Sequence, residues 1–500
     1  MSSDAYQDFL EAPPLERLQR VLDQRHASEI KQHLGTTAFE EYRSLAAAAS
    51  KAAAKKDPHH LGIDTPINLV FVPGVMGSLL KAKHLAGVWW VDVRTRDHID
   101  DLRLAPDGAG SAAATNEVEP FSLDPSYEAF FVASLGRSDF GHAQFPYDWR
   151  LPIAASAGAL RDKILALHTQ NGKNPVHIVA HSMGGLLVRT MLAKYGDDQL
   201  WSCLGKIVFL GTPHYGSPAI AGYLKNHLWG FELMALLAKY ISRATFRSLW
   251  GVLSMLPAPR GVYPGTRPSD QTPWGSGVPA DPYVHPCANF DLYAADSWDL
   301  GLSAAETVDL QKILTAASTF HHELYAAHRS LSQERRDTMA VIAGVGMKTL
   351  FRLSYTSRLG GLWVDWDKDF TLVEGDLHRD GDGRVPLASA LLEDVRETRF
   401  IKAVHGSLPV IPAVYDDVFC WLNGEEMNLP RTAAGAHTAH LAPGSGDSDT
   451  PALDGSARAR LAAGDPGYSN LHDYSDSETT ALERGLVGGN FPEFERIHIL

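Results

Sequence analysis

Ser182 lies near the middle of the segment PVHIVAHSMGGLLVRTML, residues 175–192. The apolar, β-branched residues before it are typical of a short buried strand, and the apolar residues after it recur at helical spacing. A serine between small residues at such a corner matches the nucleophile elbow G-x-S-x-G, although Ala180 stands where the first glycine is usual. The pattern predicts a nucleophile held in a strained backbone conformation. The alternative is an ordinary turn with a buried serine.

A serine is a weak nucleophile at neutral pH, so it needs a general base and a group that orients the base. In this arrangement the acid and the histidine follow the serine in that order, each after a late strand. His405, directly after the strand-like segment RFIKAV, is the predicted base. His214 in GTPHYGSP is the main rival, but it follows the strand immediately after the elbow and is therefore too early in the order.

The predicted acid is Asp382 in the segment GDGRVP, where Gly381 and Gly383 favour a tight turn that presents one carboxylate to the histidine. Asp380 and then Asp376 are the alternatives.

The same segment also resembles the start of a calcium-binding loop. We discount that interpretation because the first ligand would be His378 and the twelfth position is Ser389 rather than a glutamate. We therefore expect no metal site and no cofactor.

An acyl-transfer site also needs hydrogen-bond donors for the oxyanion. The backbone N–H of Met183, the residue after the proposed nucleophile, is the first candidate. The second should come from the loop after an early strand, and the segment NLVFVPGVMGSLL offers the N–H of Val75. The alternative is a plain turn, because Pro-Gly pairs are common.

Five segments read as buried strands that end in loops: INLVFVPG, VHIVAHS, KIVFLGT, MAVIAGVG and RFIKAVHG. Helical stretches separate several of them. This alternation predicts the α/β class, with a mostly parallel sheet and helices on both faces.

Three regions surround or interrupt that pattern. Residues 1–60 are predicted to form a helical N-terminal extension, and residues 61–428 the α/β domain. Within the domain, residues from about 217 to 330 form an insertion rich in Leu, Trp, Phe and Met, which we expect to be a cap over the substrate site, with an extra packing layer as the alternative. Residues 429–500 are of low complexity and are predicted to be a disordered tail.

The whole-chain composition excludes several classes of function. A net charge of −14 argues against a nucleic-acid partner, and three scattered cysteines are too few for a disulfide framework or a thiolate metal site. No window approaches the run of apolar residues that a membrane helix requires, and the N-terminus lacks the pattern of a secretory signal. We therefore expect a cytoplasmic protein without a transmembrane segment.

The segments FVPGVMGSLL, FPYDWR, AHSMGGLLVR, GTPHYGSP, and GDGRVP followed by VHG resemble the lecithin:cholesterol acyltransferase family, in this order and at similar intervals. The FPYDWR segment is the most telling, because general α/β-hydrolases lack it. The resemblance runs from about Ile67 to Gly424. It implies an α/β-hydrolase fold with a cap or lid insertion.

The resemblance also implies roles for particular residues. Ser182, Asp382 and His405 match the catalytic triad of the family, and Val75 and Met183 match its oxyanion donors. Trp89 and Trp90 are candidates for lipid contact, in a segment that lacks the cysteines of the lid in secreted relatives. The run from Asp148 to Arg150 is interpreted as bracing the edge of the sheet near the site.

The leading hypothesis is a serine-dependent lipid acyltransferase or lipase that acts on a lipid ester, at a membrane or lipid-aggregate surface. A second is a soluble carboxylesterase for small esters. A third is a non-catalytic binding protein that keeps the fold. The acyl acceptor, alcohol or water, is not determined by the sequence, and neither are protein partners.

Overall fold

A computed structural model describes most of the chain. The described residues are 5–34, 36–55, 67–85, 87–90, 97–135, 140–225, 241–266, 286, 291–347, 349–351, 353–358, 361–366, 377 and 379–438. Two earlier predictions concern residues outside these ranges: the alternative acid Asp376 and the possible calcium ligand His378.

The strands form one large sheet and two small ones. Their bounds are β1 Ile67–Val72, β2 Ser78–Ala82, β3 Val88–Trp90, β4 Val118–Leu123, β5 Gly141–Gln144, β6 Val176–His181, β7 Leu204–Leu210, β8 Met339–Val345, β9 Leu353–Arg358, β10 Gly361–Trp366 and β11 Glu397–Lys402. The large sheet has the order β11-β8-β7-β6-β1-β5. All its strand pairs are parallel. Parallel strands place their carboxyl ends at one edge, which is where sites form in such sheets.

The helices lie before, between and after these strands. Their bounds are α1 Ala5–Glu11, α2 Pro14–Leu22, α3 Ala27–Leu34, α4 Thr36–Lys55, α5 Glu128–Leu135, α6 Ala157–Gln170, α7 Met183–Tyr195, α8 Asp198–Cys203, α9 Pro218–Lys225, α10 Arg243–Arg247, α11 Trp250–Leu253, α12 Ala304–Ser330, α13 Gln333–Arg336, α14 Leu387–Ala390, α15 Pro412–Asn423 and α16 Ala433–Thr438. Short 3₁₀ helices cover Asp100–Leu102, Ala114–Asn116, Pro125–Tyr127, Ile153–Ser156, Ala295–Trp298 and His405–Val410.

The large sheet is buried on both faces. Alternate strand residues pack on α6, α7 and α12 on one face. The residues between them pack on α5 and α15 on the other face. Because both faces are covered, the strands can be apolar almost throughout, which is why they read as continuous hydrophobic runs. The predicted α/β-hydrolase fold, with a mostly parallel sheet and helices on both faces, is confirmed.

The insertion after β7 contains α9 to α12 among the described residues. The parts at 226–240, 267–285 and 287–290 lie outside the described residues, so its covering role stays a prediction. No helix among the described residues combines the length and apolar character that crossing a membrane requires.

The C-terminal segment begins with an ordered part. Leu429 and Ala436 are buried, and α16 packs against β11. The sequence placed the start of a disordered tail at residue 429, whereas the structure describes an ordered segment to residue 438. The remainder, residues 439–500, lies outside the described ranges.

The N-terminal helices α1 to α4 form a cluster of their own that packs on β2, β3 and α5. Arg17 of α2 joins this cluster to the domain and is fully buried. Its guanidinium donates to the Glu128 carboxylate at 3.1 Å, the Ser122 hydroxyl at 2.7 Å, and the carbonyls of Leu123 at 2.9 Å and Leu10 at 3.0 Å. Burial raises the pKa of Glu128 to about 7, and Arg17 opposes that shift. Four oxygen acceptors therefore depend on one side chain.

Replacing Arg17 by methionine should destabilise the protein. The substitution leaves the Glu128 carboxylate buried without its cation, which typically costs about 3 to 5 kcal/mol of unfolding free energy. Urea titration followed by fluorescence measures the change. Arg25→Met is the matched control, because Arg25 is exposed and pairs with the half-buried Asp23. Equal midpoints for the two variants would contradict the assigned role of Arg17.

Candidate active site

Ser182 occupies the corner between β6 and α7 with φ 53° and ψ −125°. A positive φ at a residue other than glycine costs of order 1 to 3 kcal/mol and persists only where the surroundings enforce it. The Ser182 N–H donates to the carbonyl of Leu210 at 2.9 Å, which ties the corner to the end of β7. The strained serine predicted from the sequence is therefore present in the structure.

The glycines after the serine permit a close approach of α7 to the sheet. A Cβ on Gly184 would lie 2.4 Å from the carbonyl oxygen of Pro73 and 2.5 Å from that of Val72. A Cβ on Gly185 would lie 2.0 Å from the Thr212 hydroxyl. The first turn of α7 thus lies directly against the loops that follow β1 and β7.

Ser182, His405 and Asp382 form one hydrogen-bonded chain. The His405 Nε2 lies 2.9 Å from the Ser182 Oγ, and its Nδ1 lies 2.7 Å from the Asp382 Oδ2. A carboxylate can only accept, so Nδ1 carries the proton and Nε2 is left to accept from the serine. All three side chains are at most 3% exposed.

The turn around Asp382 holds this carboxylate in place. Its Oδ1 accepts from the backbone N–H groups of Arg384 at 2.9 Å and Val385 at 2.7 Å. The His405 N–H also donates to the Asp382 carbonyl at 2.8 Å. A buried carboxylate requires such partners, and here they leave Oδ2 for the imidazole.

The two described rivals have other partners. The carboxylate of Asp380 lies 2.6 Å from the Nε2 of His437 in α16, and it accepts the N–H groups of Gly346 and Gly381. His214 is buried, and its carbonyl accepts from Arg189 at 2.9 Å. Burial lowers the pKa of His214 well below its usual value, so this imidazole stays neutral.

Val75 lies two residues after Pro73, whose carbonyl Gly184 approaches, and Met183 directly precedes Gly184. Met183 is the first residue of α7, so its N–H has no partner within the helix. Within the described residues, neither N–H has a hydrogen-bond acceptor. Two such donors beside a hydroxyl suit a developing oxyanion.

Four aromatic side chains hold the segment from Pro73 to Ser78, which we call the oxyanion turn. Trp90 donates to the Met76 carbonyl at 2.8 Å, and Trp149 donates to that of Ser78 at 3.3 Å. Tyr147 donates to the Pro73 carbonyl at 3.1 Å. Tyr127 accepts the Gly74 N–H at 3.1 Å.

Sequence reasoning missed Tyr127 and Tyr147 as supports of this turn. The available signal was the number of Tyr and Trp residues near an apolar segment, because the hydroxyl of Tyr and the N–H of Trp usually form hydrogen bonds when they are buried.

The run from Asp148 to Arg150 was interpreted as bracing the edge of the sheet near the site. Arg150 does hold Asp148 at 2.7 and 2.9 Å, and it also donates to the Leu102 carbonyl.

Trp89 and Trp90 are not placed for lipid contact, and that expectation is corrected. Both side chains are fully buried. Trp89 stacks on His98 with ring centroids 4.6 Å apart, and Trp90 packs against Trp149. Both indoles belong to the hydrophobic core, so they contribute packing area rather than an exposed lipid-binding surface.

Comparison with known proteins identifies similar chains. A model of the lecithin:cholesterol acyltransferase family matches residues 138–432, more than half of the chain. The uncharacterized protein YJR098C of Saccharomyces cerevisiae is 29% identical over 191 residues, which are 36% of this chain and 28% of that protein. The chain thus matches little more than a quarter of the length of that relative.

Solved structures with similar chains include the Tle4–Tli4 complex, at 14% identity and a TM-score of 0.46, covering 76% of this chain and 100% of that one. Another is the mature Bacillus licheniformis lipase BlEst2, at 14% identity and a TM-score of 0.31, covering 73% of this chain and 93% of that one. At these scores the similarity does not bear on function.

Gly184→Ala should disrupt the site. The added methyl meets two backbone oxygens that cannot rotate away, and overpacking of this kind costs about 1 to 3 kcal/mol of unfolding free energy. We expect a lower urea midpoint and at least a tenfold slower reaction of the folded protein with a fluorophosphonate probe. Gly110→Ala is the control, because a Cβ there meets nothing within 4 Å. Equal probe reactivity in both variants would contradict the close approach.

Asp382→Asn should slow the reaction of Ser182 with the same probe by up to about 10⁴-fold, because an amide favours the wrong imidazole tautomer. Asp417→Asn is the matched control. Asp417 is also buried and accepts two backbone N–H groups at 2.7 Å, from Asn428 and Leu429, but in the described part of the chain it has no histidine partner. A similar loss in both variants would show that buried charge, rather than orientation of His405, controls the rate.

Proposed function

The chain belongs to the lecithin:cholesterol acyltransferase family, and we propose that it is a serine-dependent lipid acyltransferase or lipase. In this proposal an acyl chain moves from a phospholipid or other lipid ester, through an acyl intermediate on Ser182, to an alcohol or to water. The observation that carries it is the buried hydrogen-bonded chain from the Ser182 Oγ through His405 to Asp382. This geometry is that of an activated serine nucleophile.

The first half of the reaction forms the acyl-enzyme. The Ser182 Oγ attacks the ester carbonyl carbon while its proton passes to the His405 Nε2. The carbonyl oxygen becomes an oxyanion, and the N–H groups of Val75 and Met183 donate to it. The C–O bond to the leaving alcohol then breaks, and His405 returns the proton to that alcohol. Asp382 stabilises the imidazolium and does not take its proton.

The second half of the reaction transfers the acyl chain. An acceptor hydroxyl, from an alcohol or from water, gives its proton to His405 and attacks the acyl carbon. The second oxyanion collapses and releases the Ser182 oxygen, which regains the proton from His405. Transfer to an alcohol requires that the site hold the acceptor close to the acyl carbon and exclude water.

Family membership supports a lipid ester as the donor rather than a small ester. The described part of the apolar insertion, which contains α9 to α12, places large side chains such as Leu249, Leu253 and Leu256 in contact with the core. A small-ester carboxylesterase would show little dependence on this insertion and no preference for lipid aggregates.

The test incubates the full-length protein and its Ser182→Ala variant with phosphatidylcholine vesicles, with and without a sterol. Free fatty acid and sterol ester are then quantified. Sterol ester produced only by the wild type supports a transferase, and fatty acid alone supports a lipase. Both products should be absent with Ser182→Ala, because no other described group can replace the attacking oxygen at this corner.

Absence of both products would contradict the lipid proposal. Turnover of p-nitrophenyl butyrate without lipid turnover would then support the small-ester alternative. Failure of the wild type to react with a fluorophosphonate probe would contradict any serine-dependent reaction and would support the non-catalytic binding protein.

A further inference from the structure

Three hydrogen bonds run from the oxyanion turn to the backbone of His405. The Gly74 N–H donates to the Tyr127 oxygen at 3.1 Å. That hydroxyl lies 3.0 Å from the Nδ1 of His181. The Nε2 of His181 lies 3.1 Å from the carbonyl oxygen of His405. Tyr127, His181 and His405 are all at most 4% exposed, so this chain is closed to bulk water.

Chemistry fixes the direction of each bond. The His405 carbonyl can only accept, so the Nε2 of His181 carries a proton. In the neutral tautomer that carries this proton, Nδ1 accepts and Tyr127 donates to it. Burial raises the pKa of Tyr127, which keeps the hydroxyl protonated and able to donate. The Tyr127 oxygen still has a lone pair for the Gly74 N–H, so every bond in the chain has one donor and one acceptor.

The fold places His181 for this contact. It directly precedes Ser182, and successive strand residues point to opposite faces, so the imidazole projects away from the face that α7 covers. There it meets Tyr127, which follows β4, with ring centroids 5.8 Å apart, and His405, with ring centroids 5.0 Å apart. A Cβ on Gly77 would lie 2.8 Å from the Tyr127 hydroxyl. The second glycine of the oxyanion turn therefore leaves space for that hydroxyl.

We propose that Tyr127 and His181 are positioning residues that hold the oxyanion turn and the base His405 at a fixed separation across Ser182. This inference rests on the proposed function, because it assumes that Ser182 is the nucleophile. Neither side chain contacts substrate. Tyr127 sets the position of Gly74, whose neighbour Val75 is the proposed oxyanion donor, and His181 sets the main chain of the residue that accepts the serine proton.

The expected effect is on turnover rather than on substrate binding. Displacement of a catalytic group by about 1 Å can cost about a hundredfold in rate. Tyr127→Phe keeps the ring and removes the hydroxyl, so Gly74 loses its acceptor and His181 its donor. We expect kcat for p-nitrophenyl butyrate to fall about 10- to 100-fold, with KM and the melting temperature close to those of the wild type.

Two substitutions at His181 separate its two contacts. Glutamine can place an N–H near the position of the imidazole Nε2 and so retain the bond to the His405 carbonyl. Asparagine reaches only the position of Nδ1 and retains a partner for Tyr127. If the contact with His405 positions the base, His181→Gln should keep at least severalfold more kcat than His181→Asn. Tyr42→Phe is the control, because the buried Tyr42 hydroxyl has no hydrogen-bond partner among the described residues.

The experiment measures kcat, KM, melting temperature and the rate of fluorophosphonate labelling for the full-length wild type and each variant. The proposal is supported if the probe labels the wild type and if Tyr127→Phe lowers kcat without a change in KM or melting temperature. Unchanged kcat in Tyr127→Phe overturns it, and so does a loss that only parallels a lower melting temperature. If the His181 variants do not fold, Tyr127→Phe still decides the question. Absence of labelling in the wild type would instead overturn the proposed function, and this inference with it.

Discussion

The close approach of α7 to the ends of β1 and β7 is the constraint on which the rest of the site depends. It requires glycine at 184 and 185, and it forces Ser182 to a positive φ. The same contact brings the turn that follows β1 beside the first N–H groups of the helix. One packing contact thus places the hydroxyl and both proposed oxyanion donors together, and the sheet stabilises the strained corner through the bond from Ser182 to Leu210.

The supports of the site are mostly polar groups buried among apolar ones. Trp90, Tyr127, Tyr147 and Trp149 each bring a ring into the core and a polar tip to the backbone of the oxyanion turn. A turn held in this way has few alternative conformations, because the release of any of these bonds would leave a backbone group unpaired in the interior. Such rigidity suits electrostatic stabilisation, which requires donors that are already in position.

The sequence predicted the parts of this arrangement that depend on local pattern and chain order. The strand-to-helix corner identified Ser182, and the order of late strands identified Asp382 and His405. The flanking glycines favoured Asp382 over Asp380, but both carboxylates lie in one turn, and the sequence does not show which of them has another partner. What distinguishes them is His437, which is 57 residues away in the chain and binds Asp380. Trp89 and Trp90 were misassigned because the sequence does not distinguish an apolar residue in a core from one on a lipid-binding surface.

Both ends of the described chain contact the segments that hold the site. Arg17, in the N-terminal helices, pairs with Glu128, the residue next to Tyr127. His437, in the last described helix, pairs with Asp380, two residues from Asp382. Neither Arg17 nor His437 lies within the residues that match the family model. The matched core contains Ser182, Asp382 and His405, but the turns that orient them are packed against flanking helices. Because a buried polar group that loses its partner costs free energy, the flanking helices are coupled to the geometry of the site through these two contacts.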